Sequence, residues 1–445
     1  TMKYIIIGAS AAGMQAAEEI RKIDSSSDIK VFSKENYYPY SRCLISRYVD
    51  GRLKENNFFF KTSHFFEDFN IDSLLGTEIT HIDKNVKKVF TNDNREYSYD
   101  RLLIATGSSP WIYDVEGASL EGVCTFHSWN DAKKIISLLK DAKKAVIAGA
   151  GFIGLEAAYA LTKKGIEVTV IEKMSQILPQ QTDITAAGII QDDLEKMGVK
   201  FMFNQSISSI EGNGRVSNVV LMDKSRIQCS MVIMATGVKP NTVLAEKAGI
   251  LTGKGVCVDE HFRTSDEHIY AAGDVIEIED ITTGKREVSA TWFNAVLQGK
   301  YAGYNMAGNR RSYRTIVGMQ NAVQFHQVPL ISFGKVFLDP DDEQKGYEVI
   351  SAKRGNVYKK LVLSDNRICG MIFVGDILKS GFYAALIRNS IDISNYKSRL
   401  LDADFSYAFF KDKNFEQYNP YYETPKCWDE SSNNWMAHRY ECQFN

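Results

Sequence analysis

Two glycine-rich turns carry the clearest chemistry in this sequence of 445 residues, one at residues 8–13 and one at residues 149–154. Each turn follows an apolar run and precedes a segment of helical composition, so free backbone N–H groups at the helix start point at one spot. The helix dipole adds partial positive charge there, and a pyrophosphate fits the arrangement. Glycine is needed where the backbone turns tightly or approaches the phosphate closely. The two turns therefore predict two dinucleotide-binding sites.

Carboxylates stand where a dinucleotide-binding unit holds a ribose hydroxyl, at the end of its second strand. In the first unit the candidates are Ser33 and Glu35, of which we favour Glu35. In the second unit the candidate is Glu172. Because a carboxylate there repels a 2′-phosphate, Glu172 favours NADH over NADPH, although the neighbouring Lys173 weakens that preference.

Alternating strands and helices must position these residues. Strand, helix and second strand are expected at residues 3–7, 14–23 and 29–33, and again at 145–148, 155–164 and 167–171. Two later apolar strands both end in Ala-Thr-Gly, at residues 105–107 and 235–237, and a third ends in Gly273-Asp274. Buried parallel strands have this composition, so we expect an α/β fold with two Rossmann-like dinucleotide-binding domains. Trp111 and Trp129 are expected in the core.

The pattern changes after residue 316. Short alternating strands at 346–352, 357–363 and 368–374 and a helix at 380–389 predict a C-terminal α+β domain. The tail, residues 401–445, holds 12 aromatic residues and few aliphatic ones. It cannot build a core of its own, and we expect it to pack over the body of the protein or over a partner.

Composition excludes several classes. Lys and Arg number 53 against 55 Asp and Glu, a net charge of −2 that gives no support for nucleic-acid binding. No apolar run reaches the ~18–20 residues that span a bilayer, and no signal peptide is expected. The seven cysteines are scattered without a C-x-x-C pair, which argues against a disulfide scaffold, a zinc ribbon or an iron–sulfur cluster, and for a reducing, cytoplasmic setting. No metal site is expected.

Taken together, these motifs resemble the pyridine nucleotide–disulfide oxidoreductases, flavoproteins with two dinucleotide-binding domains. Residues 8–13 match the FAD opening of that family, 105–110 its chain-crossing motif, 149–154 its NAD(P)H opening and 272–274 its second FAD motif. The resemblance covers roughly residues 2–395. It implies an FAD domain at 1–115 and 245–315, an NAD(P)H domain at 116–244 and a C-terminal interface domain at 316–400.

The turns and the resemblance together give the expected binding residues. Those expected to bind FAD are Gly8, Ser10, Ala11, Gly13, Lys34, Glu35, Arg42, Ala105, Thr106, Gly107, Gly273, Asp274 and Trp292. Those expected to bind NAD are Gly149, Gly151, Phe152, Ile153, Gly154, Glu172 and Gly237. By the resemblance, Asp274 binds the ribityl chain, and the helix after Trp292 directs its positive end at the flavin pyrimidine. Phe152 stands where the family often has an aromatic lid, with ordinary packing as the alternative.

Residues 37–48 bear on where the electrons go. A dithiol like that of glutathione reductase is excluded here, because Tyr48 stands where the second cysteine of C-x-x-x-x-C would be. In one interpretation, Cys43 is the single redox cysteine of the NADH oxidase, peroxidase and coenzyme A disulfide (or polysulfide) reductase branch. Arg42 would then lower the pKa of its thiol.

In the other interpretation, which we favour, residues 42–47 resemble the Arg-Pro-Pro-Leu-Ser-Lys-like stretch of rubredoxin, ferredoxin and nitrite reductase flavoproteins. Arg47 then replaces a flavin-proximal lysine and pairs with Glu156. The resemblance implies that hydride moves between NADH and FAD and that single electrons move to or from a small redox protein. That partner would dock through the C-terminal domain and tail, and a homodimer is a further expectation. A third interpretation is a flavoprotein subunit of a larger redox complex.

Overall fold

The computed structural model describes residues 1–338, 341–342 and 344–410. The chain divides into two units, Thr1–Lys397 and Ser398–Asn445. In the described part of the second unit, a single helical turn at Tyr407–Phe410 brings the rings of Phe405 and Phe409 to a centroid distance of 5.3 Å. Most of the predicted aromatic tail lies outside the described residues, and so does the prediction of what it packs against.

Most α-helices among the described residues are short, and α1, which begins inside the first glycine turn, is one of the longer ones. Their bounds are α1 (Ala11–Ile23), α2 (Ile45–Val49), α3 (Phe65–Asp68), α4 (Trp129–Leu138), α5 (Phe152–Lys163), α6 (Ile184–Lys196), α7 (Val243–Lys247), α8 (Trp292–Met306) and α9 (Ser380–Arg388). Throughout the part of the chain that the structure describes, no helix is both long and apolar enough to cross a bilayer.

Strands fall into three groups along the chain. The first group is β1 (Lys3–Ile7), β2 (Asp28–Ser33), β3 (Asp72–Leu75), β4 (Ile79–Asp83), β5 (Lys88–Thr91), β6 (Glu96–Ser98), β7 (Arg101–Ile104) and β8 (Ser108–Pro110). The second is β9 (Val123–Cys124), β10 (Lys144–Ala148), β11 (Glu167–Ile171), β12 (Lys200–Met202), β13 (Ile207–Asn213), β14 (Arg215–Leu221), β15 (Arg226–Gln228), β16 (Met231–Met234) and β17 (Val238–Pro240). The third is β18 (Val256–Cys257), β19 (Ile269–Ala271), β20 (Ile276–Glu279), β21 (Arg286–Val288), β22 (Gln320–Gln324), β23 (Pro329–Gly334), β24 (Glu348–Arg354), β25 (Val357–Ser364) and β26 (Arg367–Val374).

Two parallel sheets form the centres of the predicted nucleotide domains. The first has the order β19-β7-β1-β2-β3, and the second has the order β12-β11-β10-β16-β9. In each, the strand that leads into a glycine turn, β1 or β10, lies in the middle with parallel neighbours on both sides. Because both faces of such a sheet are covered, β1 and β10 are buried after their first residue. The two glycine turns therefore lie at the carboxyl ends of central strands, as predicted.

The C-terminal domain is an antiparallel sheet of order β22-β23-β26-β25-β24, with α9 packed on it. β25 and β26 are largely buried, whereas β24 forms an exposed edge. This agrees with the predicted α+β unit. The expectation for the tryptophans is right for Trp129, which is 2% exposed, and wrong for Trp111, which is 50% exposed.

Candidate active site

Helices α1 and α5 begin without a side-chain cap. Neither Ser10 nor Gly151 supplies a side-chain hydrogen bond to the first turn of its helix. Three other helices are capped in the ordinary way, α4 by Ser128, α6 by Asp183 and α8 by Thr291. The helices α2, α3, α7 and α9 also lack a side-chain cap, but α1 and α5 are the two that begin at a glycine-rich turn. Ser10 accepts no hydrogen bond from the first turn of α1, so the N–H groups of that turn are available to a ligand. Both sites fit a dinucleotide pyrophosphate.

Both steric contact and backbone conformation require glycine at the first position of each turn, Gly8 and Gly149. A Cβ on Gly8 would lie 2.0 Å from the carbonyl oxygen of Ala105, and one on Gly149 would lie 2.3 Å from that of Ala235. Both residues also have positive φ, so the backbone itself requires glycine. A Cβ on Gly151, in contrast, would meet nothing within 4 Å. Protein packing does not demand glycine there, and the open space suits the close approach of a phosphate.

Glu35 and Arg42 meet beside the first nucleotide site. The guanidinium of Arg42 donates to Glu35 Oε2 at 3.0 Å and to the carbonyl oxygen of His127 at 2.9 Å. Tyr40 also donates to Glu35 at 3.1 Å. The loop after β2 therefore brings together two of the predicted FAD residues, and it ties one of them to the chain before α4.

Glu35, Arg42 and His127 line a cleft of about 670 Å³, a volume in the usual range for ligand sites. Lys34, Thr106, Ser108 and Asn241 also line it. Burial and the Arg42 charge lower the pKa of His127 to about 4, so its imidazole is neutral and the lysine and arginine supply positive charge. The cleft therefore carries charges of both signs, together with the polar groups that could hold parts of FAD; its cations are Lys34 and Arg42, and its carboxylates are Glu35, Glu78 and Asp131.

Asp274 follows β19, which lies at the edge of the first sheet beside β7. Its Oδ2 accepts a hydrogen bond from Ser108 Oγ at 2.9 Å, and burial raises the pKa of its carboxyl. The chain-crossing motif and the Gly-Asp motif are therefore in direct contact, although 166 residues separate these two side chains. This contact was not predicted from the sequence.

Cys43 lies in a helical turn at Arg42–Leu44, and its side chain is exposed. Desolvation and the charges of Asp274 and Glu156 nonetheless raise the pKa of its thiol to about 12. The thiol interpretation predicts that Arg42 lowers this pKa. That prediction is wrong for a physical reason: the Arg42 guanidinium binds Glu35 and a backbone carbonyl instead.

Glu156 lies in the first turns of α5, against which α2 packs. Burial raises the pKa of its carboxyl, opposed first by the Ser46 hydroxyl and then by the charges of Arg52 and Arg47. Arg47 is exposed, and among the described residues it forms no ion pair with Glu156 within 4 Å. The predicted direct pair is therefore not the arrangement found. Sequence reasoning missed Ser46 and Arg52, whose contacts depend on how α2 lies on α5.

The carboxylate of Glu172 is held at the end of β11. It is 8% exposed and accepts hydrogen bonds from the backbone nitrogens of Ala150, at 2.7 Å, and Met174, at 2.9 Å. Glu172 thus lies against the second glycine turn, where the spacing predicted it. The exposed apolar side chains of Ile153 and Met174 flank this position.

Phe152 is the first residue of α5 and is partly buried. Its ring stacks on Phe325 of the C-terminal domain, with a centroid distance of 6.3 Å and an interplanar angle of 24°. The packing role and the lid role left open for Phe152 are therefore compatible, because one face of the ring is occupied by a neighbouring domain.

Comparison with known proteins agrees with this geometry. Residues 2–299 match a family described as pyridine nucleotide-disulphide oxidoreductase, and residues 321–391 match the rubredoxin NAD+ reductase C-terminal domain. A relative named NADH oxidase, from Methanocaldococcus jannaschii, is 40% identical over 318 residues, covering 69% of this chain and 70% of its own. A rubredoxin-NAD(+) reductase of Pseudomonas putida is 35% identical over 309 residues, covering 69% of this chain and 80% of its own.

A solved structure of an NAD-dependent persulfide reductase from A. fulgidus superposes with a TM-score of 0.83 at 32% identity. The match covers 88% of this chain and 78% of that one. The chain also matches a nitrite reductase of Bacillus subtilis, but it spans only about half of that protein's length, 48%.

Proposed function

The chain belongs to the pyridine nucleotide-disulphide oxidoreductase family and is an FAD-dependent NAD(P)H oxidoreductase; from this premise we propose that it moves electrons between NADH and a small one-electron redox protein. When bound, FAD supplies the chemistry that connects the two partners, since it exchanges a hydride with nicotinamide and single electrons with a carrier. The described residues contribute binding, orientation and electrostatics.

We assign FAD to the first sheet. The first turn of α1 and the Ser10 hydroxyl bind the diphosphate, with Arg42 as a nearby cation, and Glu35 binds ribose. Asp274 binds the ribityl chain, and its bond to Ser108 holds the carboxylate in place. The support for these assignments is the uncapped helix, the polar cleft lined by Glu35 and Arg42, and the convergence of three separated motifs on one edge of the sheet.

We assign NADH to the second sheet. The first turn of α5 binds its diphosphate, and Glu172 binds the adenosine ribose. Two backbone hydrogen bonds fix the Glu172 carboxylate next to the turn, so a 2′-phosphate placed there would meet a negative charge. We therefore propose a preference for NADH over NADPH. Glu156, on α5, is proposed to orient the nicotinamide.

One observation favours the carrier over a thiol mechanism, namely the electrostatic environment of Cys43. A redox thiol acts as a thiolate and is normally found beside a positive charge. Here the charges of Asp274 and Glu156 raise the pKa of the thiol. Arg42, the cation next to Cys43 in the sequence, binds Glu35 instead. The match of residues 321–391 to the rubredoxin NAD+ reductase C-terminal domain supports the same choice and suggests that the partner docks on that domain.

Two substitutions test the choice. Cys43→Ser should leave NADH-driven reduction of rubredoxin or ferredoxin near the wild-type rate, and Arg95→Ala, on an exposed residue paired with Asp93, provides the matched control. Loss of carrier reduction in Cys43→Ser, with NADH still bleaching the flavin, would overturn the proposal.

A second function is favoured by the exposure of the Cys43 side chain. In it, Cys43 serves a peroxide, oxygen or coenzyme A disulfide reductase, or a polysulfide reductase. This function requires that peroxide or a disulfide reoxidise the NADH-reduced protein faster than a carrier does, and that Cys43→Ser abolish the reoxidation. A third function, as a subunit of a larger redox complex, requires that removal of residues 401–445 prevent co-purification of the complex.

A further inference from the structure

The two strands that connect the proposed FAD and NAD domains form a small sheet of their own. β8 leaves the FAD domain after Gly107, and β17 returns to it after Gly237. The strands pair antiparallel, with Ser109 opposite Lys239. Because both crossings run through this pair, its conformation governs how the two nucleotide-binding domains face each other.

Both crossings begin at a glycine whose backbone rotation is little restrained by packing. Gly107 and Gly237 have φ values of +66° and +108°, in the region that side chains rarely adopt. A Cβ at either position would meet nothing within 4 Å, so packing does not restrain them. Without another restraint, rotation at these two glycines would tilt one domain against the other.

Asn241 supplies a restraint. Its Nδ2 donates to the carbonyl oxygen of Thr106 at 2.8 Å, and its Oδ1 accepts from Ser109 Oγ at 2.8 Å. Its backbone nitrogen donates to the carbonyl oxygen of Gly107 at 2.9 Å, and its backbone oxygen accepts from Thr106 Oγ1 at 3.0 Å. Asn241, the residue directly after β17, thus forms hydrogen bonds to the outgoing crossing on both sides of Gly107.

The same short segment is tied to the FAD domain from its other side. Ser108, next to Ser109 in β8, donates to Asp274. The side chains of these two neighbouring residues therefore face opposite ways, that of Ser108 towards Asp274 and that of Ser109 towards Asn241, as in a strand. The hydrogen bonds connect the crossing to the carboxylate that we assign to the ribityl chain.

We propose that Asn241 is a positioning residue that sets the relative orientation of the two nucleotide domains and thereby the alignment needed for hydride transfer. The inference rests on the proposed function, because it concerns the hydride step between the two sites. Hydride transfer needs reacting atoms about 3–3.5 Å apart, and a displacement of about 1 Å costs roughly 100-fold in rate. Asn241 itself need not touch either nucleotide.

The test is Asn241→Ala, compared with Asn305→Ala. Asn305 has a side-chain amide that is likewise hydrogen-bonded to backbone, but only within the proposed FAD domain: its Nδ2 donates to the carbonyl oxygens of Tyr301 and Arg311, and its Oδ1 accepts from the backbone nitrogen of Arg311. In Asn241→Ala we expect anaerobic flavin reduction by NADH to slow by about 10- to 100-fold, with NADH affinity and flavin content within about 2-fold of wild type. Deuterated NADH should show a larger isotope effect, and Asn305→Ala should keep the wild-type rate.

A second readout needs no bound flavin. Amide hydrogen exchange at residues 106–111 and 237–241 of the flavin-free protein should be faster in Asn241→Ala than in Asn305→Ala. If Asn241→Ala is poorly folded, Asn241→Asp retains the acceptor for Ser109 and loses the donor to Thr106. Its rate of flavin reduction should recover as falling pH protonates the new carboxyl.

The outcomes are separable. If wild-type flavin is not reduced by NADH, the proposed function fails. If wild type is reduced and both Asn241 variants match its rate, or if they differ only in flavin content and thermal stability, the positioning role is overturned.

Discussion

The carboxylate of Glu172 lies 2.7 Å from the backbone nitrogen of Ala150, so the acid at the end of β11 is joined directly to the glycine turn before α5. The acid and the turn are 22 residues apart in sequence and act as one unit in the fold. This contact fixes the Glu172 carboxylate at the position that we propose for the adenosine ribose of NADH.

Glu172→Ala should therefore raise the KM for NADH by about 10-fold or more, which is ~1.4 kcal/mol of binding, and should leave flavin content unchanged. The KM for NADPH should rise less than that for NADH, or should fall, because the substitution removes a negative charge that would repel the 2′-phosphate. Steady-state kinetics with both nucleotides measure this, and Glu167→Ala, on the exposed start of the same strand, is the control. An unchanged KM for NADH would contradict the ribose role.

Arg42→Ala should weaken FAD binding. Its guanidinium bridges Glu35 and the carbonyl of His127 in the cleft proposed for FAD, and hydrogen bonds to charged groups contribute about 1.5–3 kcal/mol each. We expect a rise in the FAD dissociation constant of about 10- to 100-fold, measured by flavin titration of the flavin-free protein. An equal FAD dissociation constant in Arg42→Ala and wild type would show that Arg42 does not contribute to FAD binding.

The thiol of Cys43 should react slowly with iodoacetamide at neutral pH. Its pKa is raised to about 12 by desolvation and by Asp274 and Glu156, so the thiolate is scarce until the pH approaches that value. Peptide-resolved mass spectrometry across a pH series distinguishes Cys43 from the buried Cys124 and Cys229. Rapid labelling with a midpoint below the ordinary cysteine value would instead support the thiol mechanism.

Stability of the flavin-free protein should fall in acid through His127. Burial and Arg42 lower its pKa from 6.5 to about 4, so the unfolded chain binds the proton more readily than the folded one. The free energy of unfolding should decrease by up to ~1.4 kcal/mol per pH unit as pH falls from the unfolded pKa towards the folded one. Denaturant titrations of wild type and His127→Phe measure this, and equal slopes in the two would contradict the assignment.

The sequence predicts much of the fold because its signals are local. Apolar runs, glycine turns and the helix after each turn lie within about 35 residues, and β1, β11 and α9 fall within a residue of the expected bounds. Helix α1 begins at Ala11 rather than at residue 14, because the helix starts inside the turn itself.

Other features depend on contacts between distant segments, which no local pattern records. The bonds of Asn241 to Thr106 and of Ser108 to Asp274 join residues more than 130 positions apart. The environment of Glu156 likewise depends on α2 packing against α5, so the cation expected beside it is exposed and Ser46 lies nearer. The sequence identified candidate carboxylates and cations, and the fold decided which of them meet.

The most direct measurement is an anaerobic titration of the purified, FAD-loaded protein with NADH, followed by the visible absorbance of the flavin. We expect the yellow colour to be lost at about one NADH per flavin and to be restored by added rubredoxin or ferredoxin. A protein that binds no FAD, or whose colour persists with NADH and NADPH in the absence of air, would contradict the proposed electron transfer.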